Sequence, residues 1–364
     1  MNGSLFDFLS SDNMVAYWLE KHVNDQPLLG ETLFPYRKQI GIQLDWIKGA
    51  NDQPIALRLS AFDSKTIRRD REGFEQYREK MPFFKESMYI DEEMRQLLNM
   101  YRANNNNALA ETILAKIFDD QIKLIDAALV SVERMRMEAL TTGLITLGSN
   151  GVAYSVDFGV PADQKLTASV SWGNPDADVI GDVSDIVDLM KTKGYTMTRA
   201  ICNNSVAKAL RTNKEIKNQI YVLAGGSIAS ITSERALNYI YEETGVQFLV
   251  YDNVYVAEDG AHKYIPDDTV VFLPDGTLGF TNFGTTPEES DLMGSTAAQV
   301  SLVNGAIAVT NHIEHDPVLV ETKVSMICLP SFEKADEIVI FDTLASTPET
   351  ETETETETET ETES

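Results

Sequence analysis

Between Asn104 and Gly143 the sequence carries one uninterrupted helical pattern, and no other feature constrains the fold as tightly. Asn104 through Asn107 can cap a helix start, and Gly143, after Thr141 and Thr142, can end it. Between them Leu109, Ile113, Ile117, Leu124, Ala128, Val132, Met135 and Ala139 recur at three-, four- and seven-residue spacings. The pattern predicts a helix over residues 108–142. At ~1.5 Å of rise per residue it is roughly 50 Å long, more than a compact domain of this size requires. The apolar positions drift from strict heptads, which favours a spine across an elongated molecule over a coiled coil.

Upstream, residues 1–33 mix short apolar clusters (Leu5, Phe6, Phe8, Leu9; Val15, Trp18, Leu19) with polar breaks, the pattern of an arm with one or two short helices. From Leu33 to Ser64 the pattern turns strand-like. Ile40, Ile42, Leu44 and Trp46 alternate with polar neighbours, as do residues 56–62, and Gly49-Ala50-Asn51-Asp52 supplies a turn between the two runs. Lys65, Arg68, Arg69 and Arg71 then fall within eight residues of an otherwise acidic chain. They read either as a solvated loop tip or as a tip that docks on an acidic neighbour. A long hairpin with little core of its own needs something to pack on, which favours docking.

Downstream, short strands are expected at 151–157 and 165–172, followed by an α/β lobe. There, helices are expected over 179–191, 204–218 and 233–243, and strands at 199–203, 248–251, 254–257 and 269–273. Residues 295–345 return to β character, clearest at 318–320, 323–328 and 337–341. The class is α+β, with an arm and hairpin, a long helix with sheet, and an α/β lobe inserted before the sheet resumes.

Charge narrows the partners. The formal charge is −27, of which eight glutamates between 349 and 363 supply eight, leaving −19 on the rest. Such a body does not grip nucleic acid by neutralising phosphates. The tail, 346–364, is nearly pure Glu-Thr alternation and is expected to be disordered, either as a tolerated solvated tail or as a polyanionic brush. No stretch reaches 18 apolar residues, and the N-terminus lacks the basic and apolar regions of a secretory signal. Cys202 and Cys328 sit far apart in apolar contexts and read as buried free thiols.

A search for chemistry yields no residue to nominate. His312-Ile313-Glu314-His315-Asp316 is the best metal-like cluster, but its flanks read as strand and turn, where positions i and i+3 face opposite sides. His22 and His262 stand alone beside Lys21 and Lys263 and read as surface residues. Gly225-Gly226-Ser227 lacks the Lys-Ser or Lys-Thr of a phosphate loop. No Gly-x-Ser-x-Gly elbow exists. The acidic pairs Asp119-Asp120, Asp267-Asp268 and Glu288-Glu289 are unsurprising in so acidic a chain. No catalytic residue, cofactor or metal is expected.

Two stretches and one ordering carry a resemblance. Tyr264-Ile265-Pro266-Asp267-Asp268-Thr269-Val270-Val271-Phe272-Leu273 follows a short strand and turn. Trp172-Gly173-Asn174-Pro175-Asp176-Ala177-Asp178 leads into a helix. The parts run arm, basic-tipped hairpin, long helix, α/β lobe, returning strands. Together these resemble the lambda-type phage major capsid proteins (the capsid protein E family), which have the HK97-like fold. The likeness covers roughly residues 30 to 342 and leaves out the tail.

The resemblance implies roles for the parts. Residues 1–33 would be the N-terminal arm and 34–83 the extended loop lying over a neighbouring subunit. Residues 84–176 and 308–345 would form a peripheral domain with helix 108–142 as its spine. Residues 177–307 would form an axial domain meeting its copies in hexamers and pentamers. It also implies an icosahedral shell around double-stranded DNA, a separate scaffolding protein, a portal and a possible decoration protein. The shell would belong to the virion and be built in the host cytoplasm, with no membrane partner. Two other readings stay open: another self-assembling shell of the same fold, such as an encapsulin-like compartment, or an enzyme whose lobe binds a ligand in an apolar pocket.

Overall fold

A computed structural model describes residues 10–23, 27–48, 75–90, 92–103, 107–149, 151–223, 231–257, 259–293, 299–315 and 318–344. The basic run 65–71, Gly225-Gly226-Ser227 and the Glu-Thr tail lie outside the described residues.

The long helix, Asn107–Thr142, spans 36 residues. Gly143 ends it in a left-handed conformation (φ +77) and donates its N–H to the Ala139 carbonyl at 3.0 Å. The anticipated stripe is buried from Ile117 through Leu124, Ala128, Val132, Met135 and Ala139, whereas Leu109 near the start is exposed. This spine crosses a six-stranded sheet. Strands Tyr36–Lys38 (β1), Gly279–Phe283, Val318–Phe332, Ile307–His315 and Gln299–Val303 follow one another in that order. Phe83–Ile90 pairs antiparallel with the 15-residue Val318–Phe332 beside them.

That 15-residue strand unites runs the sequence suggested were separate, and it carries Pro330 inside. Pro330 faces Thr281, whose own N–H donates to Pro35 on the other side, so the missing donor breaks no bond. Tyr36–Lys38 joins this sheet in parallel, so the chain just after the arm is part of the body. The arm helix Ser11–His22 also packs down, burying Met14 and Trp18, with the Trp18 indole donating to Asp126 at 2.8 Å.

A second sheet has the order Lys165–Thr167, Val339–Asp342, Thr269–Leu273, Arg199–Cys202, Gln247–Val250. Helices Val179–Thr192, Asn204–Thr212, Lys214–Leu223 and Ser233–Thr244 belong to this lobe. Its central strand explains its near-continuous apolar sequence: Val270 and Phe272 enter the lobe's own core, while Val271 and Leu273 enter the core around the spine. One sheet therefore serves two cores and fastens the lobe to the spine.

Several expectations need correction. The lobe does not coincide with 177–307. Residues 279–283 and 299–303 belong to the six-stranded sheet, and 165–167 and 339–342 to the lobe's sheet, because strand pairing overrides chain order. The helix expected over 204–218 breaks at Asn213, whose side chain donates to Ala177 and accepts from the Ile216 N–H, capping a new helix. The strand expected from Ile40 begins only at Gln43. Gly41 (φ +93) turns the chain, leaving Ile40 and Ile42 exposed, and alternation holds for buried Leu44 and Trp46. The strand expected over 165–172 ends at Thr167.

Candidate assembly surface

The two strands that flank residues 49–74 in the sequence are clamped to each other and to the body. Strands Gln43–Lys48 and Glu75–Lys80 pair in register from Gln43 opposite Lys80 to Lys48 opposite Glu75. Trp46 stacks on Tyr77 (5.2 Å between ring centroids, 13° between planes) and leans on Phe158 at 5.9 Å. Lys48 is buried; it donates to the Gly159 carbonyl at 2.6 Å and pairs with Asp336 at 2.6 Å. Arg78 grips Asp45 with two bonds of 2.7 and 3.3 Å. The candidate contacts Lys65, Arg68, Arg69 and Arg71 lie between these strands, outside the described residues.

The motif residues turn out to be staples of the lobe. Trp172 is buried; its indole donates to Asp182 at 2.8 Å and its backbone N–H to the Thr343 carbonyl at 2.9 Å. Burial pushes the Asp182 carboxyl up, opposed by that indole bond. Pro175 accepts from the Lys214 N–H at 2.8 Å. Asn203 donates to the Pro266 carbonyl at 3.1 Å and to Asp267 at 2.6 Å, while its carbonyl caps the helix beginning at Asn204. Asp267 also pairs with Lys263 at 2.7 Å, and Asp268 sits at φ +64 with its carbonyl taking the Thr343 N–H. The Tyr264 ring packs at a tilt on Tyr255 (36° between planes) and Tyr251 (31°), in the core around the spine. These side chains hold the lobe's strands and helices in place, and their chemistry is positional.

The sequence reading missed a buried charged hub. Glu133 and Arg136 sit one turn apart on the spine with side chains 0% and 7% exposed, and pair at 3.3 Å. Glu133 accepts from the Gly30 N–H at 2.8 Å and from the Tyr251 hydroxyl at 3.0 Å. Arg136 donates to Thr281, which donates to the Phe34 carbonyl. Arm, spine, lobe and six-stranded sheet thus meet at one ion pair. The signal was present: two opposite charges flanked by Val132, Met135 and Ala139 on an otherwise apolar stripe.

The titratable groups organise structure as well. The Cys202 and Cys328 thiols are buried, free and pushed up by burial to about 12, far from nucleophilic. His312 is exposed on the strand Ile307–His315, opposite Glu321, while His315 pairs with Val318. Among the described residues no group of three His, Cys, Asp or Glu side chains converges as metal ligands would. His22 is not the lone surface residue expected: it stacks on Trp18 at 4.8 Å and lies 3.4 Å from Asp126. His262 meets Asp259 at 2.9 Å. The acidic pairs are individually engaged: Asp119 with Lys21, Glu288 with Lys323 and Ser325, and Glu289 with Lys38. A lobe cavity of about 510 Å³ is rimmed by Asp176, Asp178, Lys214 and Glu215, and so does not answer the apolar ligand pocket an enzyme reading calls for.

Two surface features remain open. Phe83–Ile90 is exposed on both faces along most of its length, with Phe83, Met88 and Tyr89 uncovered. Beside it runs an apolar groove of about 680 Å³, with a floor of Leu124, Ala127 and Ala128 and a far wall of Leu147, Val152 and Tyr154.

A family model described as phage major capsid protein E matches residues 10–343. Among solved structures, a protein assigned to the capsid of a prophage in Escherichia coli CFT073 superposes with a TM-score of 0.58 at 17% identity, covering 92% of this chain and 99% of that one. A phage-related protein from Bordetella bronchiseptica RB50 superposes with a TM-score of 0.51 at 11% identity, covering 93% and 98%. At these identities the two likenesses speak for the fold.

Proposed function

Because the chain belongs to the phage major capsid protein E family, we propose a specific division of labour for its parts within the head of a tailed phage. The chain is a major capsid protein with an HK97-like fold, a structural subunit whose work is assembly with copies of itself. The observation that carries this is the family match across residues 10–343. It spans the spine, both sheets and the base of the loop.

In this reading the lobe is the axial domain, meeting its copies at the centres of hexamers and pentamers. The spine with the six-stranded sheet is the peripheral domain. The extended loop, the part of 34–83 beyond the Tyr36–Lys38 strand of the main sheet, lies over a neighbour and docks Lys65, Arg68, Arg69 and Arg71 on an acidic surface. The clamped base supports this, because a hairpin held by Trp46, Lys48 and Tyr77 can transmit force from its tip to the body. The net charge supports it too: on a body this acidic, a basic tip finds complementary surface on almost any neighbour. Overlapping contacts of this kind tolerate the small rotations that separate hexamers from pentamers, and many modest contacts add to a strong wall.

The partners we propose are a separate scaffolding protein, a portal, possible decoration protein, and packaged double-stranded DNA enclosed without tight binding. Assembly takes place in the host cytoplasm, and the subunit carries no catalytic site. A strongly basic inner wall in a map of the particle would overturn the statement about DNA. The test of the docking role is the double variant Arg68→Glu/Arg69→Glu. It should stay soluble and folded by circular dichroism while losing the fast-sedimenting particle fraction. Normal particles from that variant would reduce the tip to solvated surface.

A further inference from the structure

The strands Ile307–His315 and Val318–Phe332 pair antiparallel in a register that sets His312 directly opposite Glu321. Val320 and Thr322, on either side of Glu321, are buried, and Thr322 bonds Gln121 of the spine. Glu321 and His312 therefore lie on the face of the sheet turned away from the spine. Strand alternation puts Glu314, two residues beyond His312, on that same face, and His315 on the opposite one. The sequence alone pointed to His312 with His315, a pair the strand separates. Register supplies a partner that sequence spacing could not, Glu321 from the neighbouring strand.

His312 is exposed and Glu321 half-buried, and neither side chain makes a hydrogen bond or ion pair among the described residues. Lys323, two residues along the same face from Glu321, is held by Glu288 instead. An imidazole and a carboxylate thus stand side by side with no cation between them, and a second carboxylate belongs to the same face.

We propose that His312 and Glu321, with Glu314 as the third position, form a surface site for a zinc-class divalent ion. The reading does not depend on shell assembly. Directly opposed residues have Cβ atoms about 4.5–5.5 Å apart, and residues two apart on one strand are about 7 Å apart. A tetrahedral zinc ion holds nitrogen and oxygen ligands at about 2.0–2.2 Å, which sets neighbouring ligand atoms roughly 3.4 Å from each other. Histidine and glutamate side chains span that difference without moving the backbone, and water completes the coordination. One imidazole with two carboxylates selects a transition ion over calcium or magnesium, which take oxygen ligands alone. Bound there, the ion would staple the two longest strands of the main sheet, three residue pairs from the end of their ladder at His315 and Val318.

Zinc titration of the full chain by calorimetry tests this, run in excess magnesium so that the carboxylates of the Glu-Thr tail are occupied. One equivalent of zinc should bind per subunit and raise the melting temperature. Loss of an outer-sphere partner weakens metal sites roughly 10- to 100-fold, so His312→Ala, Glu321→Gln and Glu314→Gln should each cost at least that. The same variants should melt like wild type without zinc, since each alters a position on the face turned away from the spine. His262→Ala and His22→Ala, which remove the histidines near Asp259 and Asp126, should bind zinc as wild type does. X-ray absorption of the zinc complex should show nitrogen and oxygen ligands without sulfur, since Cys202 and Cys328 are buried. Wild-type protein that takes up no stoichiometric zinc would overturn the proposal. So would binding that survives His312→Ala, that survives Glu314→Gln, or that vanishes with His262→Ala.

Discussion

Glu133 Oε2 lies 3.3 Å from Arg136 Nη1 inside the protein, and the pair is the point through which arm, spine, lobe and main sheet touch. Both charges are removed from water, so the pair is tolerated only because Gly30, Tyr251 and Thr281 complete its hydrogen bonds. Arg136→Met leaves Glu133 as an uncompensated buried charge. The expected cost is about 3–5 kcal/mol, read by urea denaturation of the soluble subunit. Glu133→Gln/Arg136→Met should cost clearly less than the two single changes added together.

The loop base makes a backbone prediction. Gly159 holds φ +63, and a Cβ there would come 2.9 Å from the Tyr77 hydroxyl and 3.4 Å from Lys48 Nζ. Gly159→Ala should destabilise the subunit by about 1–2 kcal/mol from conformation alone. It should also loosen the stacking of Trp46 on Tyr77, visible as a change in the near-ultraviolet circular dichroism.

Glu288 sets a pH dependence. Burial pushes its carboxyl up, but bonds from Lys323, its own backbone and Ser325 outweigh this and hold it below the ordinary 4.5. A carboxyl lowered in the folded state stabilises the protein above its unfolded value, and that stabilisation is lost as pH falls through the folded value. Glu288→Gln should therefore be less stable than wild type at pH 7. The gap should close as pH drops below about 4.5. A gap of constant size from pH 7 to pH 3 would rule out the charge as its source.

Asp182 has the opposite sign. Burial raises its carboxyl, with the Trp172 indole bond opposing, so its charged form costs stability at neutral pH and protonation relieves that cost as pH falls through the raised value. Asp182→Asn retains an acceptor for Trp172. It should be at least as stable as wild type at pH 7, with the advantage shrinking as wild-type Asp182 protonates. A large loss at pH 7 would show that the carboxylate itself is needed.

Much of this architecture was legible in sequence for identifiable reasons. The spine was legible because 36 residues average out local accidents and Gly143 marks the end. The strand 269–273 was legible because burial on both faces leaves an apolar run. Sheet membership was not, since pairing of Gly279–Phe283 with Val318–Phe332 and of Lys165–Thr167 with Val339–Asp342 is fixed by tertiary packing far along the chain. The break at Asn213 was hidden because one asparagine both ends one helix and caps the next. The hub at Glu133 and the groove beside Phe83–Ile90 were hidden because each is assembled from segments more than a hundred residues apart in part of its lining.

The central claim is that this chain builds a shell with copies of itself, and electron microscopy of the purified protein tests it most directly. Expressed alone and with a candidate scaffolding protein, it should give shells, tubes or isolated capsomers. A monodisperse monomer under every condition tried would contradict the account.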